Sequence, residues 1–215
     1  MYRIIATNEL FTILIVISLV LIALAKLFLP KRFGDFISVL VNSKYLKIYA
    51  REQKFFDGFD AILFINLILS STIFFFLTYN YLVESIEVSN TLMFKLAIAI
   101  SVFILIKVLI ERLTGSLFEI DKMIDAYLFQ KISYKNLIGI LLIPINVILI
   151  YTIHPSKGIF YVVIGLLLII NSIGLITSFK SHQSLIKNNL FYFILYLCAL
   201  EISPYVILYK FITNA

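Results

Sequence analysis

Two residues three apart, Glu201 and Pro204, interrupt an apolar stretch that runs from Leu190 to Lys210 and is long enough to cross a bilayer. A charged group at bilayer depth costs about 2.5–3.5 kcal/mol on insertion scales, so it is kept where it has a partner or a task. Pro204 cannot donate to the carbonyl of Leu200, so a kink and a free carbonyl one residue from Glu201 are expected. On a helix, Ile194, Cys198, Glu201, Tyr205 and Leu208 share one face, which we expect to point into a bundle because it carries the polar groups. Three chemistries fit. Glu201 can lock helix packing through a hydroxyl, an amide or a backbone group. It can hold a proton, cation or cationic substrate on a transport path. It can meet a helix of a partner subunit. Asn66, Asn146, Asn171 and Lys107 are the partners available to it within the chain.

Pro144 echoes Pro204. Each is followed by a similar apolar run, Val147 to Tyr151 and Val206 to Tyr209. Broken helices in matching halves can mark a transporter site, although these two lie in the fourth and sixth apolar stretches. The candidate intramembrane site is therefore Glu201, Pro204, Cys198 and Tyr205, with Asn146, Pro144 and Asn171. No catalytic constellation accompanies it. The chain has no Gly-rich phosphate loop, no His-Glu-x-x-His, no paired intramembrane aspartates and no Gly-x-Ser-x-Gly. Glu119, Asp121 and Asp125 could act on a lipid headgroup, but such a charge run is ordinarily a solvated face. We expect no enzyme, no cofactor and no metal. Cys198 is the single cysteine, and His154 and His182 lie far apart in loops.

The elements that must position these residues follow from composition. Of the 215 residues, 62% are hydrophobic and only 14% charged. Soluble domains run near 45–50% and about 25%, so the solvent here is a bilayer. The net charge of +6 is not read as nucleic-acid binding, because the basic residues sit in short links between apolar spans. Tyr, with 13 copies and no Trp present, can serve as the interfacial aromatic.

The expected architecture is an all-α polytopic bundle of six transmembrane helices in a single integral membrane domain, with short amphipathic helices in the cytoplasmic links. The spans fall near 10–29, 61–83, 92–110, 136–153, 159–177 and 190–210. Twenty residues at about 1.5 Å rise give about 30 Å, the hydrocarbon thickness. Ala23-Leu-Ala25 resembles a signal-peptide cleavage site, but the apolar run continues through Leu27, Phe28 and Leu29, so cleavage is not expected. Pro30 should end the first helix. In the basic link 31–59, Phe36, Val39, Leu40, Leu46 and Ile48 among lysines suggest a short helix on the membrane surface, with a solvated connector as the plainer expectation. Lys95 and Lys107 sit near the ends of the third span and can snorkel. Gly115 is a plausible break. After it, Leu117, Ile120, Ile124 and Leu128 space an amphipathic helix, packed on the bundle or used to dock a partner. Gly165 and Gly174 allow close helix approach in the fifth span.

Orientation follows from the basic residues. All 18 Lys and Arg except Arg3, Lys95, Lys157 and Lys210 fall in links one, three and five or at their edges. The positive-inside rule places those links in the cytoplasm and both termini outside.

The segment Phe193-Ile-Leu-Tyr-Leu-Cys-Ala-Leu-Glu-Ile-Ser-Pro204, with Asn136, Gly139 and Pro144, resembles a domain-of-unknown-function family of bacterial multi-pass membrane proteins. The resemblance covers most of the chain, and its specific part is Leu-Glu-Ile-x-Pro. It implies an inner-membrane protein and transfers no activity. The expectation for function is a non-enzymatic membrane component that assembles with a membrane partner or with itself; the alternative is a small proton- or cation-coupled transporter or channel using Glu201.

Overall fold

The computed structural model describes residues 9–40, 45–46, 48–49, 57–83, 88–117, 121–152 and 156–181. Among them every regular element is helical. Helix α1 spans Glu9–Phe28, with Glu9 in its first turn and Lys26 in its last, both complementing the helix dipole. It ends where Pro30 is expected to end it. Pro30 then opens a second helix, α2, Pro30–Ile37, because its fixed φ and missing N–H suit a first turn. A 3-10 turn, Ser38–Leu40, follows. Helix α3 is Gly58–Leu82, capped by Asp57, whose side chain accepts from the Phe59 N–H. Helix α4 is Asn90–Leu117, α5 is Asp121–Val147, and α6 is Lys157–Ser181.

Among the described residues, five helices are long and apolar enough to cross a membrane: Glu9–Phe28, Gly58–Leu82, Asn90–Leu117, Ile124–Thr152 and Lys157–Gly174. They correspond to the first five expected spans. The sixth, 190–210, lies outside the described residues. Helix α3 is central and packs against α1, α4, α5 and α6. Phe11 meets Phe76 at one end of α1 and α3, while Ala25 and Phe59 share a cluster at the other, so these two helices run antiparallel.

Among the described residues the interior has two apolar clusters. One contains Phe11, Ile15, Ile73, Phe74, Leu142 and Phe160. The other lies towards the basic end and contains Ala25, Phe36, Tyr45, Phe59, Leu63 and Phe129.

Three local expectations need correction. Gly115 does not break the chain, because α4 runs through it. A Cβ there would stand 2.9 Å from the side chain of Ile124, so the glycine serves close approach of α4 to α5. The amphipathic helix and the fourth span are not separate; α5 carries the stripe of Ile124 and Leu128 straight into the apolar segment, with both residues buried. Three of the apolar residues of the basic link face the protein interior instead of an outer surface. Phe36, Val39 and Leu46 are core residues, whereas Ile48 is exposed. Folding them against Phe59 and Phe129 removes their surface from water as lipid would, and adds edge-to-face aromatic contacts of Phe36 with Tyr45 and Phe59.

Candidate functional site

Of the expected site residues, Glu201, Pro204, Cys198 and Tyr205 lie outside the described residues. The other three are placed. Asn146 is fully buried, and its amide nitrogen donates to the carbonyl oxygen of Ser70 at 2.9 Å, tying α5 to α3. Pro144 is exposed. Two residues at 100° each put it on the opposite side of α5 from Asn146. The helix continues through it to Val147 and then widens into a π turn, Ile148–Thr152. Asn171 is half-buried on α6. Gly174 packs against the ring of Tyr134, so Asn171 stands level with about residue 137 of α5, roughly 13 Å along the axis from Asn146 at 1.5 Å per residue. The structure therefore brings Asn146 to α3 and leaves Asn171 apart from it.

The crossing of α3 and α5 is set by Gly139. A Cβ at this position would lie 2.7 Å from the Leu67 Cα, so the two backbones meet there. That approach allows Asn146 to reach a main-chain carbonyl. Around the same crossing, Ser18, Asn66, Ser70 and Asn136 are also buried. Along the chain, Ser18 falls between Ile15 of one apolar cluster and Ala25 of the other; Asn66 and Ser70 fall between Leu63 and Ile73. Ser18, Asn66 and Ser70 thus fall between the two clusters, whereas on α5 Asn146 lies among residues of the first and Asn136 among residues of the second.

A second polar group was missed by reading residues 107 to 136 as a snorkelling lysine followed by a loop. Lys107, Glu111 and Gly115 recur every fourth residue and form the buried face of the last turns of α4. Lys107 is buried, on the face of α4 that packs against α5. Glu111 is fully buried and accepts from the Lys131 ammonium of α5, which also lies 5.6 Å from the centre of the Tyr127 ring. The period-four spacing was the available signal: on α4 it puts a carboxylate and an ammonium on one face.

A third group locks the basic end. The Arg32 guanidinium of α2 pairs with Asp57 and, at 3.1 Å, with Asp60 at the start of α3. It also lies over two rings, 5.1 Å from Tyr49 and 4.7 Å from Phe59. Burial works against its charge, but the hydrogen bond with Asp57 and the neighbouring groups more than offset this, and its pKa is raised. Burial also pushes the Tyr45 hydroxyl up, with Asp60 acting in the same direction, so Tyr45 stays a neutral phenol. Among the described residues no group of three His, Cys, Asp or Glu could hold a metal ion.

Long apolar helices around a central helix, with polar side chains turned inward, define a multi-pass helical membrane protein. The chain belongs to the family described as domain of unknown function (DUF4271), which it matches over residues 11–212. No match was found among curated proteins or among solved structures.

Proposed function

We propose that this protein is a non-enzymatic component of a bacterial cytoplasmic membrane, with six spans, both termini outside and the basic end in the cytoplasm, and that it assembles with a membrane partner. One observation carries the reading. The basic end is a folded platform, in which Arg32 clasps Asp57 and Asp60 and holds α2 against the start of α3. The two carboxylates are engaged in the clasp, and α2 is fixed in orientation relative to the bundle. A fixed surface at the membrane boundary suits docking, since little ordering entropy remains to oppose binding.

The test is purification of tagged wild type, Arg32→Ala and Glu201→Gln in mild detergent, followed by reciprocal purification through any stoichiometric partner. A partner retained by wild type and lost from Arg32→Ala, with the variant's melting curve still cooperative, supports the reading. A wild type that runs alone as a monomer overturns it. The second reading, a small proton- or cation-coupled transporter, is favoured by the buried Ser18, Asn66 and Ser70 between the apolar clusters. It predicts flux in liposomes that Glu201→Gln abolishes while the protein stays assembled.

A further inference from the structure

We infer that the carboxyl group of Glu201 docks on a pair of buried amides, Asn66 of α3 and Asn136 of α5, and that this contact locks the segment 190–210 into the bundle. It rests on the six-span reading and names the internal partner of Glu201.

The two amides lie together. Gly139 meets Leu67, and Asn146 further along α5 reaches Ser70 further along α3, so these helices run parallel. Three residues back from Gly139, Asn136 stands level with residue 64, about 3 Å along the axis from Asn66. Viewed from the N-termini, Asn136 is turned about 60° clockwise from Gly139 and Asn66 about 100° anticlockwise from Leu67. On parallel helices that face each other, these opposite turns point to the same side of the crossing. α4 and α6 occupy the other side. Ile124, Lys131 and Tyr134, which meet Gly115 and Glu111 of α4 and Gly174 of α6, are turned about 60–140° anticlockwise from Gly139.

Asn66 and Asn136 are both 0% exposed, and neither their Oδ1 nor their Nδ2 atoms have a hydrogen-bond partner among the described residues. Such atoms are costly in a hydrocarbon surround. Apart from the Arg32 Nε at the basic end, their Nδ2 atoms are the buried side-chain nitrogens without a partner among the described residues. The other candidates for Glu201 are placed less well. Asn146 donates its nitrogen to Ser70, Lys107 lies in the α4–α5 interface one turn from the Glu111 carboxylate, and Asn171 is half-buried on α6.

Chemistry and depth agree. A carboxyl group at bilayer depth needs partners, and two amides offer it N–H donors from two helices. Glu201 is one residue past the midpoint of 190–210, and Asn66 is one turn before the midpoint of α3. With six spans both segments rise from the basic end. Side chains on a helix lean towards its N-terminus, so the Glu201 side chain reaches back over that turn. Residues 182–189, which follow α6, can extend to about 27 Å, enough to bring the segment to the amide side of the crossing.

The test is a double-mutant cycle in the full-length protein, read as the unfolding equilibrium in a detergent-denaturation titration. Glu201→Leu and Asn136→Leu should each raise the unfolding constant roughly tenfold to hundredfold, the scale of hydrogen bonds to a carboxylate. The double variant should lose no more than the worse single one. Glu201→Gln, which keeps an acceptor oxygen, should lose less than Glu201→Leu. If a leucine variant does not fold, cross-linking decides. In a Cys198→Ser background, Glu201→Cys with Asn136→Cys should be joined by a short bifunctional thiol reagent, and Glu201→Cys with Lys107→Cys or Asn171→Cys should not. Losses that add, or no cross-link to position 136, overturn the contact. Asn214→Cys in the same background checks the span count separately, through reaction with an impermeant maleimide in cells with an intact cytoplasmic membrane. If it reacts, a failed cycle counts against the contact alone; if it reacts only after cells are opened, the six-span reading and the contact both fall.

Discussion

Asn146 shows how one side chain is used at depth. Its amide reaches a main-chain carbonyl on another helix, where no water competes. Hydrogen bonds between membrane helices average about 0.6 kcal/mol with a maximum near 1.7. Asn146→Ala should therefore lower unfolding free energy by about 1 kcal/mol in a detergent-denaturation titration, while Asn171→Ala, half-buried on α6, should change it by less than about 0.5 kcal/mol. The Glu111–Lys131 pair obeys a different rule. Removing one partner leaves a buried charge alone, which costs about 3–5 kcal/mol, whereas replacing both with apolar residues is often neutral. Lys131→Met should thus be severely destabilising and Glu111→Leu with Lys131→Met much less so. A double-mutant cycle reads the difference, and equal losses in single and double variants would mean the pair is not coupled.

Between helices, the decisive residues are glycines that permit contact. Gly139→Ala would place a methyl group against the Leu67 backbone, which cannot move aside cheaply. Overpacking of this kind costs about 1–3 kcal/mol. Gly165→Ala meets nothing within 4 Å and should be neutral or stabilising by about 0.5–1 kcal/mol, because alanine loses less backbone entropy in a helix. Melting the two variants side by side separates packing from helix propensity. Gly165 and Gly174 were both expected to allow close helix approach; Gly174 does, against Tyr134, whereas Gly165 has open space, and Gly139 carried no packing expectation. Which of them lies at a crossing depended on how the helices pack. The clasp at Arg32 belongs to the same scale. Lysine there should not restore the stability of wild type, since an ammonium provides neither the planar fork for Asp57 and Asp60 nor stacking on Phe59.

For the whole molecule, the alternation of α1, α3, α4, α5 and α6 puts the two links richest in Lys and Arg, 31–57 and 111–136, at one end and the links that hold Glu84, Glu87 and Lys157 at the other. In a Cys198→Ser background, cysteine introduced at Gly34, where no atom lies within 4 Å, should react with a membrane-impermeant maleimide only after cells are opened. Cysteine at the exposed Ser89 should react in cells with an intact cytoplasmic membrane. The reverse pattern would invert the proposed orientation.

Hydropathy and length determined the membrane class and placed the first, second and fifth spans within about three residues, because each apolar segment must satisfy its own backbone in lipid and does so as a helix; α4 runs seven residues past the third expected span, and the fourth apolar helix begins twelve residues before its expected start. The polar residues of α3, Asn66 and Ser70, were visible as polar residues at depth, and Asn146 was named as a site residue. Tertiary structure decided what they meet. Ser18, alone in an apolar run, gave no signal by itself; antiparallel packing of α1 on α3 puts it level with Ser70. Glu111 read as the first residue of a loop, because a charge at the end of a hydrophobic window counts as polar. Only the cover provided by α5 and the position of Lys131 made it an interior residue. Likewise Phe36, Val39 and Leu46 could have met lipid, water or protein. Pattern alone does not distinguish these solvents for a short amphipathic segment, and the choice came from the aromatic surface that α3 and α5 present to it.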